Sequence, residues 1–160
     1  MPRRTALIVA VPEAEEAVGA YRLAHDSSGA LGVPAHITVL FPFVASDAVD
    51  EAAIAEVVAQ TSGFAFRLDA VEGWDDGVVW LHPEPSEPFR ALTHAVWRRW
   101  PEHPPYEGAH DDVIPHLTVS NEHIEVSIEL PIDAHADHVV LIEEDDRGYW
   151  RERGRFPLGI

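Results

Sequence analysis

Short stretches in which apolar residues recur at every second position are interleaved with stretches of helical spacing, and this succession runs through the chain twice. The apolar run Ala6 to Val11 reads as a core strand. Ala14, Ala17, Val18 and Tyr21 then share one face of a helix beginning near Pro12, and Phe89, Leu92, Thr93, Val96, Trp97 and Trp100 do so for a helix beginning near Pro88. Each helix leads into an extended segment of similar wording: Val33-Pro34-Ala35-His36-Ile37-Thr38-Val39 and Ile114-Pro115-His116-Leu117-Thr118-Val119. Each of these precedes a hairpin. Phe64, Phe66, Leu68 and Ala70 lie at every second position ahead of an Asp76-Gly77 turn and a strand Val78 to His82; His138 to Ile142 and Tyr149 to Phe156 flank an acidic turn ending in Arg147-Gly148.

The succession describes an internal repeat, about 1–83 and about 84–160, within a single domain of 160 residues that has enough apolar content to bury its own core. The halves are unequal. His36 to Gly77 spans 41 positions and His116 to Gly148 spans 32, nine fewer. The extra length in the first half predicts a helix with Ser46 or Asp47 as N-cap and Val49, Ala53, Ile54, Val57 and Val58 as its apolar stripe. Glu122 to Pro131 alternates instead, which favours a strand or an extended loop. Two such halves predict an α+β fold: two antiparallel sheets related by a pseudo-two-fold, helices outside, the motif strands near the middle and the site between the halves.

Charge and composition narrow the function. With 28 acidic and 11 basic residues the net charge is -17. A surface of this sign does not grip long nucleic acid through many phosphates, while a small phosphorylated ligand is compatible with it. All basic residues are Arg, and there is no Cys, which removes thiolate nucleophiles and thiolate metal sites. The run at residues 6–11 is too short to span a bilayer, and a cytoplasmic protein with no membrane contact is expected. Nothing in the sequence identifies a protein partner or sets the oligomeric state, and a monomer is compatible with it.

In a strand, His36 and Thr38 face one way while Ile37 and Val39 face the apolar side, and His116 and Thr118 stand likewise against Leu117 and Val119. Ten His and five Thr in 160 residues give about 0.3 His-x-Thr triplets by chance, so two at matching repeat positions carry weight. Two imidazoles and two hydroxyls facing one cleft suit in-line displacement at phosphorus. One His takes a proton from water and the other returns one to the leaving ribose oxygen, at a side-chain pKa near 6.5. The Thr hydroxyls donate to the non-bridging phosphate oxygens. We assign His116 as the base and His36 as the acid.

The paired His36-Ile37-Thr38-Val39 and His116-Leu117-Thr118-Val119, with Tyr149-Trp150 and Phe156-Pro157-Leu158-Gly159 near the end, resemble the 2H phosphoesterase superfamily, in particular its bacterial 2′-5′ RNA ligase and cyclic phosphodiesterase branch. The resemblance covers nearly the whole chain. It implies a bilobal duplicated fold, metal-independent hydrolysis of 2′,3′-cyclic or related phosphates, and in some members reversible 2′-5′ RNA ligation, with His36, Thr38, His116 and Thr118 carrying the site. The shortened stretch after Thr118, where such proteins usually have a helix, is the departure. A non-catalytic module binding phosphorylated nucleotides in the same groove is the competing class. An RNA-binding ligation factor is a third, which the net charge opposes.

Other residues are secondary candidates. Phe41 and Phe43 flank Pro42 after the first motif, where an aromatic ring can reach a base, and Tyr106 lies in a Pro- and His-rich loop able to cover the groove. The last strand places Tyr149, Arg151, Arg153 and Arg155 on one face and Trp150, Glu152 and Phe156 on the other, so Arg153 is a candidate phosphate contact. Trp80 and His82 share a face of their hairpin strand, where packing is the expected role. None of His103, His110, His123, His135 and His138 forms an i, i+4 pair with a neighbouring Glu of the metalloprotease kind, and no metal or cofactor is called for. The runs Asp75-Asp76, Asp111-Asp112 and Glu143 to Asp146 read as solvated turns.

Overall fold

The computed structural model describes residues 2–108 and 112–160; His110 and Asp111 lie outside them. Strand β1 (Thr5–Ala10) is followed by a turn of 3-10 helix at Pro12–Ala14, then α1 (Glu15–His25), the single-turn α2 (Ser27–Ala30) and β2 (His36–Leu40), which carries the first motif. Next come α3 (Glu51–Val58), β3 (Phe64–Gly73), β4 (Val79–Glu84), α4 (Glu87–Arg99) and β5 (Leu117–Ser120), which begins on the residue after His116. Strands β6 (Ile132–Ala136), β7 (His138–Glu144) and β8 (Trp150–Pro157) complete the chain.

The strands form two four-stranded antiparallel sheets, ordered β2-β1-β7-β8 and β5-β4-β3-β6. The architecture is α+β, as the pattern of elements predicts. The first sheet takes strands from both ends of the chain and the second takes its four from the middle, and β4 precedes α4 and β5 as β1 precedes α1 and β2. The motif strands β2 and β5 are the edges of their sheets and meet at the centre of the molecule. The helices cross over: α1 packs on β5 of the second sheet and α4 on β2 of the first. Residues that face inward in every element, such as Leu7, Val18, Ile37, Leu81, Phe89 and Leu117, are fully or almost fully buried and join one core beneath both sheets. Each contributes roughly 1.5–3 kcal/mol by leaving water, and together they fix the two edge strands side by side.

Three local expectations are corrected. The N-cap of α3 is Asp50, whose carboxylate accepts from the Ala53 amide at 3.1 Å. Ser46 and Asp47 sit in a separate 3-10 turn, with the Ser46 hydroxyl occupied by the Arg3 amide. Trp97 is on the rim of α4, 36% exposed and stacked on His94, because Phe89, Leu92, Thr93, Val96 and Trp100 already fill the buried stripe. Strand β8 does not keep one alternation. Its pairing skips Arg153, with Leu141 opposite Gly154 and Ile142 opposite Glu152, and this bulge exchanges the faces. Phe156 therefore enters the main core, whereas Trp150 packs on the opposite face with Ala6, Ile8, Val140 and Ile142.

No helix follows β5. Residues 121–131 form no regular element, and Ile124, Val126 and Ile128 turn alternately onto the core, as their spacing predicts. Among the described residues no helix is long and apolar enough to cross a membrane.

Candidate active site

Residues of the two motifs line one groove of about 410 Å³. Ile37 and Val39 on one strand, and Leu117 and Val119 on the other, are buried, while His36, Thr38, His116 and Thr118 are partly buried and face the groove. Period-two alternation in two edge strands that meet produces this arrangement.

The two imidazoles are anchored alike. His36 Nδ1 lies 2.7 Å from the carbonyl oxygen of Pro34, and His116 Nδ1 lies 2.7 Å from that of Ile114, in both cases two residues upstream. A carbonyl only accepts, so Nδ1 carries the proton in each ring and Nε2 is left as the exchangeable nitrogen. Pro34 supplies the first of these carbonyls itself, and Pro115 lies between the second carbonyl and its histidine.

His36 is held far below the usual histidine range, to about 4, chiefly because burial penalises its charged form; the charge of Arg22 acts in the same direction. The Pro34 carbonyl and the Asp26 carboxylate oppose this, and His116 adds to the lowering. Arg22 and Asp26 are themselves buried. Arg22 Nε donates to Asp26 at 3.1 Å, Nη1 to the Val33 carbonyl at 2.8 Å and Nη2 to Ser28 Oγ at 3.2 Å. This network pins the segment between α1 and β2 against the groove.

Tyr106 covers the first motif. Its hydroxyl hydrogen-bonds Thr38, its amide donates to the Phe41 carbonyl at 2.7 Å, and burial raises its pKa. Tyr106 and Glu107 both have left-handed backbone (φ 51 and 57), a strained conformation for residues with a Cβ, and one that recurs at functional sites. On the other side Trp74 stands edge-on to His116 with centroids 4.7 Å apart, and Trp80, 5.0 Å from Trp74, lies beneath. The Trp80 indole N–H is buried without a partner among the described residues.

Of the secondary candidates, Phe41 and Tyr106 line the groove, and Phe43 and Arg153 do not. Phe43 is buried against Trp100, edge-on at 5.0 Å. Arg153 sits in the β8 bulge, where Nη1 donates to Glu143 and to the Ser46 carbonyl, both at 2.8 Å. The guanidinium that does reach the groove is Arg4. It is held by Glu144 at 2.7 and 2.9 Å and lies 5.6 Å from the Phe41 ring centroid and 5.9 Å from that of Trp150.

Arg4, Trp74 and the Arg22–Asp26 pair are neighbours of the motif residues that the sequence pattern does not single out, and Trp150 lines the groove beside them. The only local signal for that pair is its i, i+4 Arg/Asp spacing, which is ordinary on helix surfaces. Among the described residues one group could offer three ligand atoms to a metal ion: Asp69, His82 and Glu84, whose atoms lie within 4.8 Å of one another on the second sheet. Asp69 and His82 already pair at 2.9 Å, and none of the three lines the groove.

A family model described as the 2′-5′ RNA ligase superfamily matches residues 10–148. Among solved structures, the apo form of E. coli LigT superposes with a TM-score of 0.68 at 22% identity, covering 99% of each chain. LigT complexed with 3′-AMP gives 0.69 at 21% identity with the same coverage. A protein described as a phosphoesterase gives 0.66 at 20%, over 99% of this chain and 100% of its own. At these identities the likeness is one of fold. No curated protein matches the chain.

Proposed function

The chain belongs to the 2′-5′ RNA ligase superfamily, and from that premise we propose that it is a phosphodiesterase that opens a 2′,3′-cyclic phosphate on a small nucleotide or short RNA end without needing a metal. The observation that carries this reading is the matched anchoring of His36 and His116, each with Nδ1 tied to the carbonyl two residues upstream and Nε2 left for proton exchange in the groove shared with Thr38 and Thr118.

Water attacks phosphorus and gives its proton to His116 Nε2. The bond from phosphorus to one ribose oxygen breaks, and that oxygen takes a proton from His36 Nε2. The product is a nucleoside phosphomonoester, and the two histidines return to their starting states by exchange with solvent. Thr38 and Thr118 donate to the non-bridging oxygens and stabilise their growing charge. His36 is neutral in the empty groove at pH 7, so its donor role depends on the substrate. A phosphodiester anion placed beside Nε2 favours the charged imidazolium and raises its pKa toward the working pH. E. coli LigT complexed with 3′-AMP, ATP, NADP+ and phosphate supports a nucleotide phosphate as the ligand class here.

A panel of 2′,3′-cyclic nucleotides and 2′-5′-linked dinucleotides, assayed in EDTA, tests the reading. The wild type is expected to consume the cyclic compounds. His36→Ala and His116→Ala should each lose at least about 10²-fold in kcat while keeping the wild-type circular dichroism spectrum. Near-normal turnover by either variant would rule out two-histidine chemistry, and binding without consumption by the wild type would favour a non-catalytic module.

A further inference from the structure

The groove-facing side of the first sheet continues beyond the catalytic groove into a second cavity of about 350 Å³, which His36, Thr38, His116 and Thr118 do not line. The two spaces share Val33, Ile142 and Trp150. They are divided by the segment from Leu31 to Pro34 as it crosses the sheet to reach β2. The divider is a built feature. Trp150 donates its amide to the Leu31 carbonyl at 2.9 Å, and Arg22 holds the Val33 carbonyl from below. Gly32, at φ 94, comes so close that a Cβ there would stand 3.2 Å from the Trp150 carbonyl oxygen.

The chemistry of the second cavity suits a nucleobase. Its floor is apolar, with Ala10, Val140 and Ile142 under the edge of Trp150. One wall is a fixed polar chain: Asp137 pairs with His138 Nδ1, His138 Nε2 lies 3.3 Å from Arg155 Nη1, and Arg155 donates to both Glu152 carboxylate oxygens at 2.8 and 3.0 Å. An apolar floor with a few preoriented donors and acceptors is how planar heterocycles are bound and distinguished. The β8 bulge completes this wall, because it turns Arg155 onto the face that Trp150 and Glu152 already share.

We propose that this cavity receives the nucleoside next to the one bearing the reacting phosphate, so that the substrate class is a two-nucleoside compound, a dinucleotide or a dinucleotide-like end, rather than a mononucleotide. Two compartments joined over a shared divider match two nucleosides joined by a phosphodiester. The net charge of -17 repels longer polyanions beyond them. This inference rests on the proposed phosphodiesterase reading only for the identity of the first nucleoside.

Binding is measured first, since it does not depend on turnover. Titration of tryptophan fluorescence with 3′-phosphorylated mono-, di- and tetranucleotides should give at least about tenfold tighter binding for the dinucleotide than for the mononucleotide, and no further gain for the tetranucleotide. Arg155→Ala and Val140→Phe should each cut the dinucleotide-to-mononucleotide ratio below about threefold. Arg155 is surface-accessible, so that variant tests the cavity even if Val140→Phe fails to fold. Equal affinity for mono- and dinucleotide, a ratio that neither variant changes, or a tetranucleotide bound much more tightly than the dinucleotide would each overturn the proposal. Tighter dinucleotide binding with no opening of any cyclic phosphate would support the cavity and defeat the phosphodiesterase reading, so the two stand or fall separately.

Discussion

The imidazole of His36 is fixed by the carbonyl oxygen of Pro34, 2.7 Å from Nδ1, in a setting that keeps the ring neutral down to about pH 4. Burial and the Arg22 charge outweigh the favourable carbonyl contact. A group with this profile acts as an acid at neutral pH only when a ligand changes its surroundings.

Proton uptake on binding is the first prediction. Between about pH 4 and the higher pKa of the complex, the bound state holds more protons than the empty one, so affinity for an anionic phosphodiester must rise as pH falls through that window. It levels off below about 4, where His36 is protonated with or without ligand. Calorimetry with a non-hydrolysable phosphodiester at pH 7, in buffers of different ionisation enthalpy, should show uptake of up to about one proton per site. His36→Gln should abolish most of it. Uptake that persists in that variant assigns the proton to another group and removes His36 as the donor.

The buried pair of Arg22 and Asp26 gives the second prediction, because it supports the fold and tunes the site at once. Asp26→Asn leaves a guanidinium buried without its counter-charge and should cost about 3–5 kcal/mol of stability, read by chemical denaturation. Its effect on His36 is equally definite in sign. Asp26 raises the His36 pKa and Arg22 lowers it, so Asp26→Asn moves the ring further down and Arg22→Met moves it up. NMR titration of the His36 ring separates these shifts from a general loss of structure, since unfolding would carry both variants toward the ordinary histidine value. Replacing both residues together with apolar side chains should cost less than Asp26→Asn alone.

What the sequence made legible follows from which interactions are local. The His-x-Thr alternation at 36/38 and 116/118, the helices before each motif and the hairpins after them rest on periodicity and turn chemistry within a few residues, and the folded chain keeps all of them. The missing helix after Thr118 was visible in the alternation of Ile124, Val126 and Ile128. Long-range relationships were not. The crossing of α1 onto β5 and of α4 onto β2 has no signature in either segment. The bulge at Arg153 inverts the faces of β8 by one residue, so an unbroken alternation grouped Trp150 with Phe156 and made one stripe of arginines that point opposite ways. Trp74 reads as a turn residue ahead of Asp75-Asp76-Gly77, and only the return of β5 beside β4 brings it onto His116. Arg4 sits near the chain start, and its role depends on Glu144, 140 positions away.

That inversion leads to the third prediction, a contrast between two arginines. Arg4 reaches the groove, with Nε and Nη2 committed to Glu144 and its guanidinium beside the Phe41 and Trp150 rings, and on the proposed reading it is the cation that meets an incoming phosphate. Its side chain is 60% exposed, which screens its charge. Arg4→Ala should therefore weaken nucleotide binding by only about 1 kcal/mol, roughly fivefold in KM, with kcat changed far less. Arg153→Ala should leave KM within about twofold of wild type and cost about 1 kcal/mol in stability, because it loses the bonds to Glu143 and Ser46 that tie the β8 bulge to the turn before α3. Steady-state kinetics of both variants, with thermal melts of each, make the comparison. If Arg153→Ala raised KM more than Arg4→Ala did, the groove would have to extend to the opposite face of β8, and the placement of the nucleotide against Trp150 would be wrong.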